Sequence, residues 1–183
     1  MLIGNKICCY KNVTSTNDIA YRLAKQGKKE GLVVLAEYQS EGRGRLGRRW
    51  ISPAGKSILF SFISRPPLLA KDISGFTRQI AVAVARAINK TTGLRPRFKW
   101  PNDLMLDNKK VSGILTRMST KSNKTEFVIA GIGINVNIDP GQLVKGATSL
   151  KRELGRSLSR PRLVRAMLDE LNKEYLRIKK SGD

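Results

Sequence analysis

Histidine is absent from the 183 residues. That absence excludes Ser-His-Asp and Cys-His catalysis, a histidine general base and a histidine metal ligand. Cysteine is almost absent: there are two, Cys8 and Cys9, side by side. Neighbouring strand residues point to opposite faces, so this pair makes a poor structural disulfide, and two thiols without histidine make no zinc site. Reduced thiols fit an intracellular, cytoplasmic protein. No run of ~18 apolar residues offers a membrane span. The start, Met1 to Lys6, lacks the apolar stretch of a signal peptide. Acidic residues are scarce, with 14 Asp+Glu against 35 Lys+Arg and a net charge of +21.

What remains is enough for one domain. The chain is 40% hydrophobic with 6% aromatics, a composition that buries a core. The basic excess implies an anionic partner: nucleic acid, nucleotide, acidic protein or membrane surface. It is spread evenly. Residues 1–60 carry 11 basic and 4 acidic side chains, residues 61–120 carry 11 and 3, and residues 121–183 carry 13 and 7. No block of like charge marks a nucleic-acid arm, and compositional habit explains the excess as readily as a purposeful field.

Residues 14–27 read as a helix with Ile19, Ala20, Leu23 and Ala24 on one face, a Thr14 or Ser15 cap and a Gly27 stop. Leu32–Tyr38 and Ser57–Ser64 read as buried strands. Residues 72–92 carry Ile73, Phe76, Ile80, Val84 and Ile88 at helical spacing, with Gly93 as the stop. Short strands are expected at Arg97–Trp100 and Leu104–Leu106, with turns at Pro101-Asn102-Asp103 and Asp107-Asn108. Val111–Met118 and Thr125–Asn137 read as a hairpin around a polar turn at 121–124. A loop over 138–160 precedes a last helix opened by Pro161, with Leu163, Val164, Met167, Leu168, Leu171 and Tyr175 inward. The expectation is one α+β (mixed α/β) domain, a central mixed sheet flanked by helices.

Five segments carry chemistry. Gly42-Arg43-Gly44-Arg45-Leu46-Gly47-Arg48-Arg49-Trp50 combines backbone freedom with planar forks for carboxylate or phosphate oxygens. It suits a loop closing over a polyanion, and it is not a Walker A sequence. Lys99-Trp100-Pro101-Asn102-Asp103 sets a cation and polar groups at a strand end, although a plain turn explains it too, and Trp100 is expected in the core. In Lys110-Val111-Ser112-Gly113-Ile114-Leu115, a glycine in a strand interior implies close approach, a bulge or tight packing. Gly131-Ile132-Gly133-Ile134-Asn135 repeats that logic, with two glycines and the Asn135 amide on one face. Ser15-Thr16-Asn17 taken alone is a helix cap.

Together, in this order and spacing, these segments resemble the catalytic domain of biotin protein ligases over roughly residues 7–178. The resemblance implies the biotin/lipoate protein ligase fold, related to class II aminoacyl-tRNA synthetases. It implies a reaction of biotin and ATP, with Mg²⁺, to biotinyl-5′-AMP, followed by transfer to a lysine of an acidic biotin carboxyl carrier protein. Carboxylate activation needs no histidine base; it needs cations that offset repulsion between anions. By similarity, Ser15, Thr16, Asn17 and Gln39 hold the ureido end of biotin. Gly42, Gly113 and Gly133 shape the slot. Arg43 and Lys110 act on the carboxylate and α-phosphate. Arg45, Arg48, Trp50, Asn102 and Asn135 serve the adenylate, and Asp103 is a Mg²⁺ or loop contact. The expectation is a catalytic domain without the family's N-terminal DNA-binding and C-terminal barrel domains, hence without a DNA partner; no membrane partner is expected, and pairing of two copies is compatible with the resemblance. The rival of the same fold, a lipoate or octanoate ligase, resembles a pattern that usually includes histidine. A non-catalytic basic nucleic-acid-binding module is the rival from another class.

Overall fold

The computed structural model describes residues 2–121 and 124–180. Seven strands form one mixed sheet: β1 (Lys6–Val13), β2 (Leu32–Gln39), β3 (Ser57–Ser64), β4 (Arg97–Lys99), β5 (Asp103–Leu106), β6 (Lys109–Lys121) and β7 (Lys124–Asn135). Their order is β1-β2-β3-β7-β6-β5-β4. The β1–β2 pair is parallel and the other pairs are antiparallel. The helices are α1 (Thr16–Lys25), α2 (Ile73–Thr92), α3 (Leu150–Leu154) and α4 (Arg160–Lys180). The two expected halves of the hairpin pair as β6 and β7; residues 122 and 123 of the expected turn lie outside the described residues.

β3 is buried along its whole length, and its alternation explains why. Ile58, Phe60 and Phe62 join the large core under α2 and α4, with Ile80, Val84, Met167 and Tyr175. Ile63 faces the smaller core under α1, with Ala20, Ala24, Phe127 and Ile129. Both faces of the central strand are therefore covered, and the run reads as continuously apolar. The unequal size of the two layers positions the site. A ten-residue helix is about 15 Å long, whereas twelve residues of strand span about 40 Å. α1 therefore roofs one end of the sheet and leaves the other end of the same face open.

The helices end where expected. Gly93 takes a left-handed φ of 78° and donates its N–H to Asn89 O. The last helix begins at Arg160, one residue before Pro161. Its first turn is satisfied by Ser159, whose carbonyl accepts from Leu163 N–H at 3.2 Å. Two elements depart from the sequence reading. β1 pairs on one side only and is exposed on both faces for most of its length, so its residues carry no alternation to read. α3 interrupts the expected 138–160 loop; it is five residues long and rests on the Ser149 cap, which accepts from Arg152 N–H.

Trp100 corrects an expectation. It is 74% exposed rather than in the core. β4 ends at Lys99, so the indole hangs from the following turn beyond the sheet. Cys8 and Cys9 are both free on β1.

Candidate active site

The open end of the α1 face holds a cleft with about 780 Å³ of space, part of it open to solvent. Its floor is made by strand register. Gly113 of β6 lies opposite Gly133 of β7, which pairs in turn with Leu59 of β3; Gly131 pairs with Ser61. Period two puts Gly131 and Gly133 on the face of Phe127 and Ile129, so the strand is bare where α1 stops. A methyl at Gly131 would lie 2.8 Å from Asn17 Nδ2, and one at Gly133 would lie 2.6 Å from the Trp50 ring. Close approach, rather than a bulge, is why these positions are glycine.

One wall is the first turn of α1. Ser15 occupies the N-cap position but makes no capping bond, and its side chain lines the cleft. The cap reading of Ser-Thr-Asn therefore fails for this hydroxyl. Gln39 Oε1 accepts from Thr16 N–H at 2.7 Å and from Thr16 Oγ1 at 2.9 Å, while Ser61 Oγ donates to Thr16 Oγ1 at 2.9 Å. Asn17 Nδ2 donates to Leu115 O at 3.3 Å. The result is a set of pre-aligned hydroxyls and amides at the closed end.

The second wall is the Gly-Arg segment, folded as a small hairpin. Trp50 N–H donates to Gly42 O at 2.8 Å, and Gly44 N–H to Arg48 O at 2.7 Å. A side chain at Gly42 would meet Trp50 O at 2.4 Å, so glycine is required for the loop to close on itself. Arg43 Nε donates to Asp18 Oδ2 at 2.8 Å, fastening the loop to α1. Asp18 Oδ1 lies 3.3 Å from Arg117, whose guanidinium is 3.5 Å from the centre of the Tyr21 ring. Trp50, expected beside the nucleotide, sits over Gly133 with its buried Nε1 unpartnered among the described residues.

At the open end, Lys110 Nζ lies 2.7 Å from Asp103 Oδ1. The same ammonium is 5.7 Å from the Trp50 ring centre, within cation–π range. Lys110 is held by its backbone on both sides: its N–H donates to Gly146 O and its carbonyl accepts from Thr148 N–H. Asn102 donates to Ile114 O at 2.9 Å, which pins the Pro101–Asp103 turn onto β6.

Of the expected site residues, the structure brings all but Gly42 and Asn135 to the lining of this cleft. Gly42 supports the loop from behind. Asn135 is buried outside the cleft and donates to Thr148 O at 3.0 Å, bracing the segment that holds Lys110. Sharing a face with the glycines did not bring it to the slot, because the 146–149 segment covers that end of β7. Sequence reasoning missed Ser61, hidden in an apolar run, and Asp18. A carboxylate beside Ser-Thr-Asn in a chain of such basic excess was the available signal for Asp18. Among the described residues there is no cluster of three or more His, Cys, Asp or Glu able to hold a metal ion, and no helix is long and apolar enough to cross a membrane.

The sequence profile of the Biotin/lipoate A/B protein ligase family matches residues 9–135, the span that builds this cleft. The chain belongs to that family. It is 35% identical over 178 residues to the bifunctional ligase/repressor BirA of Bacillus subtilis, covering 95% of this chain and 55% of that protein. It is 36% identical over 152 residues to the biotin–[acetyl-CoA-carboxylase] ligase of Paracoccus denitrificans, covering 79% of this chain and 62% of that one. Among solved structures, the biotin protein ligase of Aquifex aeolicus in complex with biotin and ATP superposes with a TM-score of 0.78 at 31% identity, covering 96% of this chain and 72% of that chain. The chain thus spans about half the length of the Bacillus relative.

Proposed function

We propose that this chain is a single catalytic domain of an ATP-dependent biotin protein ligase that modifies a lysine of an acidic carrier protein. The observation that carries the reading is the glycine-floored cleft with hydroxyls and amides at one end, Lys110 at the other and the arginine loop along its side. Biotin has the matching shape: a polar ureido ring, an apolar body and a carboxylate.

In the reaction proposed, a carboxylate oxygen attacks the α-phosphorus of ATP. The bond to the β-phosphate bridging oxygen breaks, and pyrophosphate leaves with the electron pair. Two anions must meet, so Lys110 and Arg43 would lower the barrier by fixed positive charge. In the second step the acceptor lysine amine attacks the acyl carbon, AMP leaves, and the amine loses its proton as the amide forms. Ser15, Thr16, Asn17 and Gln39 would bind the ureido group, and Gly113 and Gly133 would floor the slot. Arg45, Arg48, Trp50 and Asn102 would serve the nucleotide. The cleft offers one carboxylate, Asp103, already paired with Lys110. That fits a Mg²⁺ carried mainly by the triphosphate, where it would neutralise phosphate charge. A loop folded over the adenylate would keep water from a reactive anhydride. A cytoplasmic location and pairing of two copies through sheet edges belong to the same reading, the latter testable by sedimentation.

The test is transfer of labelled biotin to a carrier domain with and without ATP. Labelling that requires both ATP and the acceptor lysine supports the reading; its absence from folded protein overturns it. Thermal shift with biotin against lipoate separates the rival of the same fold, and a shift with lipoate alone would sink the biotin assignment.

A further inference from the structure

We propose that a second cleft, adjacent to the first, is the docking groove for the acceptor protein, with the Trp100 indole as its anchor. This rests on the ligase reading above. The groove, about 580 Å³, runs between the first turn of α2 and the turn that follows β4, and it shares Arg45, Asn102, Ile114 and Leu115 with the first cleft. An acceptor lysine has to enter the first cleft while the rest of its protein stays outside. The body of that protein must therefore rest on a surface bordering the slot, and this groove borders it on the side away from α1.

Two independent features suit a protein rather than a small molecule. The first is Trp100, 74% exposed at the groove's edge. Water-exposed indole on a rigid turn is the kind of side chain that dominates protein interfaces, because it buries a large area with little loss of conformational freedom. The chain has two tryptophans; one lines the first cleft and the other stands here. The second is charge. Arg97 and Lys99 stand exposed on the adjoining edge strand β4. Neither has an ion-pair partner among the described residues. The carboxylate that lines the first cleft, Asp103, is already taken by Lys110. Unpaired cations around an exposed indole select an acidic partner that presents its lysine on a tight turn, and they steer its approach.

Trp100→Ser and Lys99→Glu in the full chain test this, with four readouts. Biotin-dependent ATP–pyrophosphate exchange and transfer to free hydroxylamine report adenylate chemistry without docking, and both are expected to stay within about twofold of wild type. The KM for an acidic carrier domain is expected to rise about tenfold or more for Trp100→Ser, the loss typical of a truncated interface anchor. Lys99→Glu is expected to flatten the fall of kcat/KM with added salt. An unchanged carrier KM in Trp100→Ser overturns the proposal, as does loss of exchange in the folded variant, which would move Trp100 into the adenylation step. Wild-type protein inert in exchange would overturn the ligase reading itself, a result separable from either.

Discussion

Gly133→Ala probes the slot with one methyl group. The added carbon would lie 2.6, 2.7 and 2.9 Å from three atoms of the Trp50 indole. The indole would have to retreat by about 0.8 Å to reach ordinary contact at 3.4 Å. Trp50 belongs to a surface loop, half-buried and tied at its backbone to Gly42, so the loop can yield. The expected loss of stability is below ~1 kcal/mol, less than the ~1–3 kcal/mol of overpacking in a closed core. A substrate bound on the same floor has no such freedom, since Ser15, Thr16 and Gln39 fix its far end. Biotin affinity is therefore expected to fall by about 1–3 kcal/mol, roughly 5- to 150-fold. Titration calorimetry with biotin, alongside thermal unfolding, reads the two effects separately. Folded Gly133→Ala that binds biotin as tightly as wild type would refute the slot assignment. Adding Trp50→Ala closes a cycle: if the clash with the indole, rather than with ligand, is responsible, the double variant recovers affinity.

Lys110→Ala is expected to abolish pyrophosphate release while the melting temperature changes little, because the backbone pairing of Lys110 survives; normal release by this variant would reject its role. Asp18→Asn removes the anchor of Arg43 and is expected to speed escape of adenylate several-fold, measured by trapping released adenylate, with stability down by ~0.5–1 kcal/mol for so exposed a pair. Unchanged escape would show that Asp18 does not govern the loop. Away from the site, Tyr175 donates to Glu30 Oε2 and accepts from Arg65 N–H, both at 2.8 Å, and burial pushes its phenol well above the usual range. Tyr175→Phe should cost about 1–2 kcal/mol by denaturant unfolding. Burial raises the Glu30 carboxyl pKa, but the hydrogen bonds from Lys179 and Tyr175 prevail and hold it below its ordinary 4.5. The stability it contributes is present above that ordinary value and is lost as pH falls through the lowered one. Glu30→Gln should flatten that acid limb, and an unaltered limb would assign it to other groups.

The long helices were legible because their burial is periodic: in α2, Phe76, Ile80, Val84 and Ile88 recur at helical spacing, and Gly93 stops the run. β3 was legible as an apolar run of strand length. β1 was not, because an edge strand exposed on both faces has no pattern to show. Trp100 misled because burial of an aromatic depends on what lies beneath it, and its turn projects past the end of β4. Residue types alone carried much of the chemistry. A chain without histidine but rich in arginine and glycine at the right segments can offset charge between anions, and it cannot do base catalysis through imidazole. What only the tertiary structure decided is which of these groups meet. Strand register set Gly113 opposite Gly133, the short α1 left that floor bare, and the fold brought Asp18 to Arg43 and Asp103 to Lys110. It also turned Asn135 away to brace Thr148. Each outcome depends on contacts between segments distant in the chain. Local propensity specifies which way a side chain faces along its own strand, but not what the rest of the fold places there.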